Sequence, residues 1–522
     1  MLTAAKRWFH SGSGVVVPLS RQNAGAGGRR AGGWRPILWG AAAVLSLVCG
    51  LVVGLAYRPA PSPPAPTKRT LARFPKDVRL ARLVTSDDGA RQASVQDSPD
   101  GGCRVVDTGT PQAGYRACGQ RVFAFSRGPG RLFYDAVDDS NRSWLVVDGV
   151  PLAIADLRGD GLAWSREGGR RWAATGRAAD RAGGDGQEVV VAVDGAVLGP
   201  WLDASQPAVS DDDARVAVIV QHPDASLGLV VDGAEGRRYP SGATPCGMPP
   251  PPASNLGRHV QLRYLSDGRL VQVAPDRDGW GVYRDEERLA TYPVPEPVAA
   301  SGSESRAPAP ECERPAAVQV GSLTVAERAP VAVWWERLAG EPDGPDLRWR
   351  VSRDGEAASP VLCRWPSPAG DEIAITPDGR HVGFACAVGG AGPTSEVYAV
   401  LDGRRFGPYR QVWGVGISPD GEHLAYSAAT GGSTTPWRVY RDGVPLSRSY
   451  RSIWPPRFSP DSRHVAWEAL IDRDGRGVAG IDGAVVALFN GILAGPSFPA
   501  PDRVAWVMLR GRRVVRLELD LR

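Results

Sequence analysis

Three of the six histidines, His381, His423 and His464, recur at one position of a repeated segment. Imidazole is a common metal ligand, so histidines at a shared repeat position raise a metal site as one reading. The other reading is a local hydrogen bond or packing contact. Equivalent positions of successive repeats lie far apart unless they crowd a common axis, and the local role is therefore the expectation. His10, His222 and His259 show no ligand spacing. Acidic clusters occur at Asp211, Asp212 and Asp213, at Asp276 and Asp278, and at Asp472 and Asp474. Their oxygens suit Ca²⁺, but none completes an EF-hand loop, so solvated hairpin loops are expected. The chain carries no Gly-x-Ser-x-Gly elbow, no P-loop and no Gly-x-Gly-x-x-Gly dinucleotide fingerprint. No catalytic residue, no cofactor and no metal site is expected, and the chain is not expected to be an enzyme.

The elements that must carry these residues are short strands. The segments ITPDGRHVGFACA (375–387), ISPDGEHLAYSAA (417–429), FSPDSRHVAWEAL (458–470) and FPAPDRVAWVML (498–509) are variants of one unit. Their prolines, Pro377, Pro419, Pro460 and Pro501, are 42, 41 and 41 residues apart. In Pro-Asp-Gly, proline sets φ, aspartate bonds back to the backbone and glycine accepts positive φ, which together make a turn. An apolar strand follows. A second strand then ends at Asp402-Gly, Asp442-Gly or Asp482-Gly, dipeptides suited to a tight hairpin. About forty residues thus hold three or four short strands, one small sheet that can bury both faces only against copies of itself.

Weaker forms of the Asp-Gly element stand at Asp148, Asp194, Asp232, Asp285 and Asp354, making eight units. Residues 500–519 supply about two more strands, which need partners from about 80–125 to close a ring. The expected fold is all-β: a β-propeller of about eight four-stranded blades, with seven as the alternative. Trp413, Trp437, Trp454, Trp467 and Trp506 are expected in its core. The Ser-Pro-Asp-Gly-x-His-Leu-Ala-Tyr pattern of 418–426 resembles the repeats of TolB-like propellers, relatives of the Trp-Asp repeat class. The resemblance is strong over about 370–510 and weak over 120–370. It implies a propeller fold and a binding role in the bacterial envelope. It transfers no catalytic residue, and no counterpart of TolB's separate N-terminal domain is evident.

Residues 37–57, ILWGAAAVLSLVCGLVVGLAY, contain no charged side chain. At about 1.5 Å per residue a helix of this length spans a bilayer core. A cleaved signal peptide is the rival reading. The expected order is a basic cytoplasmic tail (1–36), a transmembrane helix (37–57), a Pro-rich linker (58–80) and a propeller ectodomain (81–522). Single-pass insertion in the bacterial inner membrane would then leave the C-terminal domain outside the cytoplasm. Residues 1–57 hold six basic residues and no acidic one, so the remainder is near neutral and no nucleic-acid partner is expected. The expected partner is a protein or another envelope component, with the propeller itself a monomer. The six cysteines after the hydrophobic stretch suit disulfides in an exported domain. Proximity in sequence suggests Cys103–Cys118, Cys246–Cys312 and Cys363–Cys386, although six cysteines allow fifteen pairings. Free buried thiols at Cys363 and Cys386 are the alternative. The segments 241–254 and 299–316 read as rim loops that interrupt the repeat.

Overall fold

A computed structural model describes residues 66–521 with interruptions, the longest at 240–259 and 294–319. Residues 1–65 lie outside the described part, and with them the expected transmembrane segment; so do both rim loops, Cys246, Cys312, Asp278 and Asp474. No helix among the described residues is long and apolar enough to cross a membrane.

The described chain is all-β and folds into ten antiparallel sheets. Nine follow in chain order: blades 1 to 9 at 80–115, 117–152, 154–201, 203–239, 261–293, 320–357, 365–409, 411–445 and 452–489. In each, the first to fourth strands pair in sequence order, the first strand being split into two segments in blades 3, 4, 7 and 9. The tenth joins Gly491–Ala500, Arg503–Arg510 and Arg513–Asp520 to Thr67–Arg73 from the N-terminal side. First strands of neighbouring blades touch, as Leu80–Thr85 touches Ala117–Phe125 and Gln261–Tyr264 touches Val320–Val325. Gly491–Ala500 also touches Leu80–Thr85, so blade 10 meets blade 1 and the ring closes. First strands therefore line the axis and fourth strands form the perimeter, the arrangement of a β-propeller.

Second strands supply most of the core. Trp172, Trp334, Trp335, Trp467 and Trp506 are fully buried on them. Side chains alternate between the two neighbouring blades: Phe384 and Cys386 pack toward blade 6, Ala385 and Ala387 toward blade 8. Of the tryptophans expected inside, Trp467 and Trp506 are buried, whereas Trp413, Trp437 and Trp454 are only partly so.

One polar clamp recurs through this apolar ring. Asp148, Asp194, Asp232, Asp285, Asp354, Asp402, Asp442 and Asp482 all sit at the turn between third and fourth strands with φ of 47° to 51°. Each donates its N–H to the carbonyl of the first residue of the second strand. Each also accepts that residue's N–H on Oδ1, at 2.8–3.2 Å. Asp tolerates this left-handed backbone better than most residues, and its carboxylate reaches across the sheet while doing so.

The expectation of eight blades counted these aspartates correctly and the blades incorrectly. Blade 1 uses Thr108-Gly109 at the same turn, with Thr108 N–H on the Gln92 carbonyl. Blade 10 has no such turn, because its fourth strand comes from another part of the chain. The closing partner is Thr67–Arg73, inside the segment expected to be linker, and not 80–125; residues 80–115 form a blade of their own.

Two disulfides staple adjacent blades. Cys103 of blade 1 is bonded to Cys118 of blade 2, with Cα atoms 6.1 Å apart. Cys363, which bridges to Trp349 of blade 6, is bonded to Cys386 of blade 7 at 5.5 Å. Cys363 and Cys386 are thus cross-linked and not free thiols.

Two stability predictions follow from buried polar groups. Asp442→Ala should lose about 2–3 kcal/mol in denaturant unfolding, since it orphans the Leu424 N–H and places alanine at positive φ; Asp442→Asn, which keeps an acceptor and tolerates that backbone, should lose less than about 1 kcal/mol. Equal losses would show that the clamp is not what the aspartate contributes. Glu468 is buried between blades 9 and 10, and burial, only partly offset by the Arg457 charge, raises its pKa well above the ordinary 4.5. A carboxyl raised on folding leaves stability intact below its unfolded value and erodes it as pH climbs to the folded value. Glu468→Gln should therefore flatten the fall in stability above about pH 4.5, read from melting temperature against pH.

Candidate functional site

The turn that opens each second strand is built by its own side chains. Ser418 donates its hydroxyl to Asp420, whose Oδ1 also accepts the Glu422 N–H at 3.0 Å. Ser418 Oγ in turn accepts the His423 N–H at 2.9 Å. The Asp420 carboxyl is consequently held below its usual value: the burial that would raise it is outweighed by these hydrogen bonds. Thr376 with Asp378 and Ser459 with Asp461 repeat the pattern, and both carboxyls are likewise lowered.

This turn delivers the histidine to the aspartate of the clamp. Nδ1 of His381, His423 and His464 lies 2.6, 2.7 and 2.9 Å from Oδ2 of Asp402, Asp442 and Asp482. One carboxylate thus holds a backbone N–H on Oδ1 and an imidazole on Oδ2. Each histidine is bound to the aspartate of its own blade, as the local reading expects, and His464 lies outside the cleft that His381 and His423 share. In other blades arginine occupies the same position, and Arg171 bonds to both Asp194 and Asp232.

Blades 7 and 8 bring two His–Asp pairs to one cleft of about 430 Å³. His381, Asp402, Arg404, Glu422, His423 and Asp442 line it. Gly421 forms its floor at φ +80°, and a Cβ there would fall 2.1 Å from His381 Cδ2. With Nδ1 of each histidine turned to its aspartate, Nε2 is the ring nitrogen left to meet a ligand. Asp420, Glu422 and His423 bring one ligand atom each to within 4.8 Å of one another. Asp420 already accepts from Ser418 and from the Glu422 N–H, so the group reads as a capped turn with one added carboxylate. Glu422 replaces the arginine found at 380 and 463, and this departure from the repeat makes the cleft mixed in charge.

A second charged group lies on and beside the first two strands of blades 2 and 3, with Arg82 of blade 1 next to it. Asp135 Oδ1 accepts the N–H groups of Arg121 and Val122 at 2.8 and 2.7 Å, filling a break in the first strand of blade 2. Arg121 pairs with Asp156 at 2.6 Å, and Arg177 approaches the same carboxylate at 3.9 Å. Arg82 of blade 1 is lowered by burial, against the charge of Asp135. Sequence reasoning did not single out these residues. The available signal was Asp135 in a second strand whose neighbours are apolar. The acidic cluster at 211–213 proves structural: Asp213 accepts the Ser165 hydroxyl of blade 3, and Asp212 caps its own turn.

No family model matches the chain, and no curated protein matches it. Solved structures with similar topology include the "Dos1 propeller" (10% identity, 71% of this chain and 96% of that one, TM-score 0.34). A computationally designed protein, Ika8, shares 12% identity over 85% of this chain and 98% of its own, with a TM-score of 0.30. TolB from Acinetobacter baumannii shares 11% over 77% and 79%, with a TM-score of 0.22. The propeller assignment stands on the sheets and their closure, described above.

Gly421→Ala tests how tightly the cleft is built. The strained φ and the clash with His381 should together cost about 2 kcal/mol, which in a ring of this size lowers the melting temperature by about two degrees. A neutral result would mean that the two blades are not in contact at this turn.

Proposed function

We propose that the chain is a membrane-tethered, exported propeller that binds a protein or another envelope component, with the cleft between blades 7 and 8 as its contact site. The observation that carries this reading is the cleft itself. Two oriented imidazoles, Arg404 and Glu422 present donors and acceptors of both signs on a rigid ring. Rigid scaffolds that preset polar side chains bind with little ordering cost. Export is supported by the two interblade disulfides, which persist in oxidising compartments. Tethering is supported by the uncharged stretch at 37–57, ten residues before the closing strand. The resemblance of the Ser-Pro-Asp-Gly-x-His repeat to TolB-like propellers agrees with an envelope role.

A second reading is an enzyme, a lyase or glycan-acting hydrolase, sited in the channel. The group of Arg82, Arg121, Asp135, Asp156 and Arg177 favours it, because it gathers charged side chains of both signs from three successive blades.

The test is photocrosslinking of the full chain in its own membranes, with a photoreactive residue at Glu422. The binding reading expects one dominant crosslinked partner. Arg404→Glu should abolish that product at unchanged melting temperature, and Asp156→Asn should leave it unaltered. A crosslink pattern indifferent to Arg404→Glu would remove the cleft as the contact site.

A further inference from the structure

The perimeter of the ring consists of ten fourth strands, each an edge to which no further strand pairs among the described residues. Such edges template pairing with other chains unless proline or charge guards them. Proline stands in the outer strands of blades 1, 2, 3, 5, 7 and 8, as Pro111, Pro151, Pro200, Pro293, Pro408 and Pro445. Charge stands in those of blades 4, 6 and 10, as in Arg237, Glu356 and Lys68. Ala484–Phe489 of blade 9, with the sequence AVVALF, has neither. Its Val485 and Leu488 are 45% and 59% exposed. The one-residue bulge in this strand is shared with the outer pairs of blades 1, 3, 4, 5 and 7, so it does not set blade 9 apart.

We infer that this edge is the contact between two copies of the chain, paired antiparallel through Ala484–Phe489. The occupant follows from the chemistry of the strand. An uncharged edge offers no complement to a charged segment, and it calls for an extended apolar strand. A second copy supplies one. About a two-fold axis centred between Val486 and Ala487, antiparallel pairing sets Val485 of each copy opposite Leu488 of the other. Those two side chains lie on the same face of the sheet, pairing with Gly480 and Val478, so both exposed apolar groups are covered together. The other nine edges are guarded, so each copy has one open edge. An isologous pair uses both open edges and stops at two, where an unguarded ring would polymerise. This inference replaces the expectation of a monomer and does not depend on the cleft between blades 7 and 8.

The test uses the full chain purified in detergent, with mass measured by light scattering across a hundredfold range of concentration. A concentration-dependent dimer is expected. Val485→Lys and Leu488→Lys, which install a guard at exposed positions, should raise the dissociation constant at least tenfold at unchanged melting temperature. Val444→Lys, on the proline-guarded edge of blade 8, should leave it unaltered. As a measurement that keeps the native edge charge, a copy carrying Val485→Cys should crosslink to a differently tagged copy carrying Leu488→Cys, in preference to one carrying Val444→Cys. A chain that stays monomeric throughout, a dimer indifferent to both blade 9 lysines, or crosslinking without preference for Leu488→Cys would each overturn the inference.

Discussion

The ring rests on one constraint: a four-stranded blade must hold its outer hairpin in register with a second strand that is buried on both faces. Apolar contacts are poorly directional and cannot supply register by themselves. The aspartate at the third turn does so. Its positive φ sets the hairpin, its N–H and Oδ1 close a two-point clasp on the first residue of the second strand, and its Oδ2 remains to orient a histidine or arginine. A single side chain thereby links turn conformation, strand register and the chemistry of the ring's face. The same economy explains why the repeat survives in blades whose apolar residues differ widely, from Ala332 in blade 6 to Trp172 in blade 3.

What could be read in advance follows from this. Seven of the eight aspartates were legible because Asp-Gly at a hairpin has few alternatives, and Asp285, followed by Glu286, was legible from its place in the repeat; all eight share one backbone conformation. The clasp on the second strand was not legible, since it joins residues 15 to 22 positions apart through a geometry that only the folded sheet displays. Blade 1 was missed because Thr108 performs the aspartate's role with a hydroxyl. Blade 10 was legible only as a terminal half-unit, because its fourth strand, Thr67–Arg73, is separated from its partner by almost the whole chain and lies in a segment that reads as a Pro-rich linker. Hydrophobic periodicity carries no information about such a closure.

The candidate sites divide in the same way. His381, His423 and His464 were identifiable by recurrence, and recurrence also indicated a local role, which the bonds to Asp402, Asp442 and Asp482 satisfy. The cleft required two blades to be adjacent, and Glu422 gains meaning only beside Arg404 and His381. The inner group was less visible. Asp135 and Glu468 occupy one position of different second strands, yet Asp135 caps an interrupted first strand while Glu468 lies buried beside Arg457. One repeat position therefore yields a satisfied carboxylate in one blade and a protonation-sensitive one in another, depending on how the neighbouring inner strand breaks.

A repeat that solves folding ten times is free to vary wherever the clasp is not involved, and the variations concentrate at three radii. At the axis, first strands split in blades 3, 4, 7 and 9, opening the wall to side chains such as Asp156. On the face, an arginine becomes Glu422. At the perimeter, the guard disappears from blade 9 alone. The perimeter change is the largest physical departure of the three, because an unguarded apolar edge exposes the chain to unwanted pairing and the other nine edges avoid it. Blade 9 also adjoins the closing blade, whose outer strand is the described segment nearest to residues 37–57. Antiparallel pairing at the edge of blade 9 reverses the strand direction between copies, so the two rings of a pair face opposite ways along those strands.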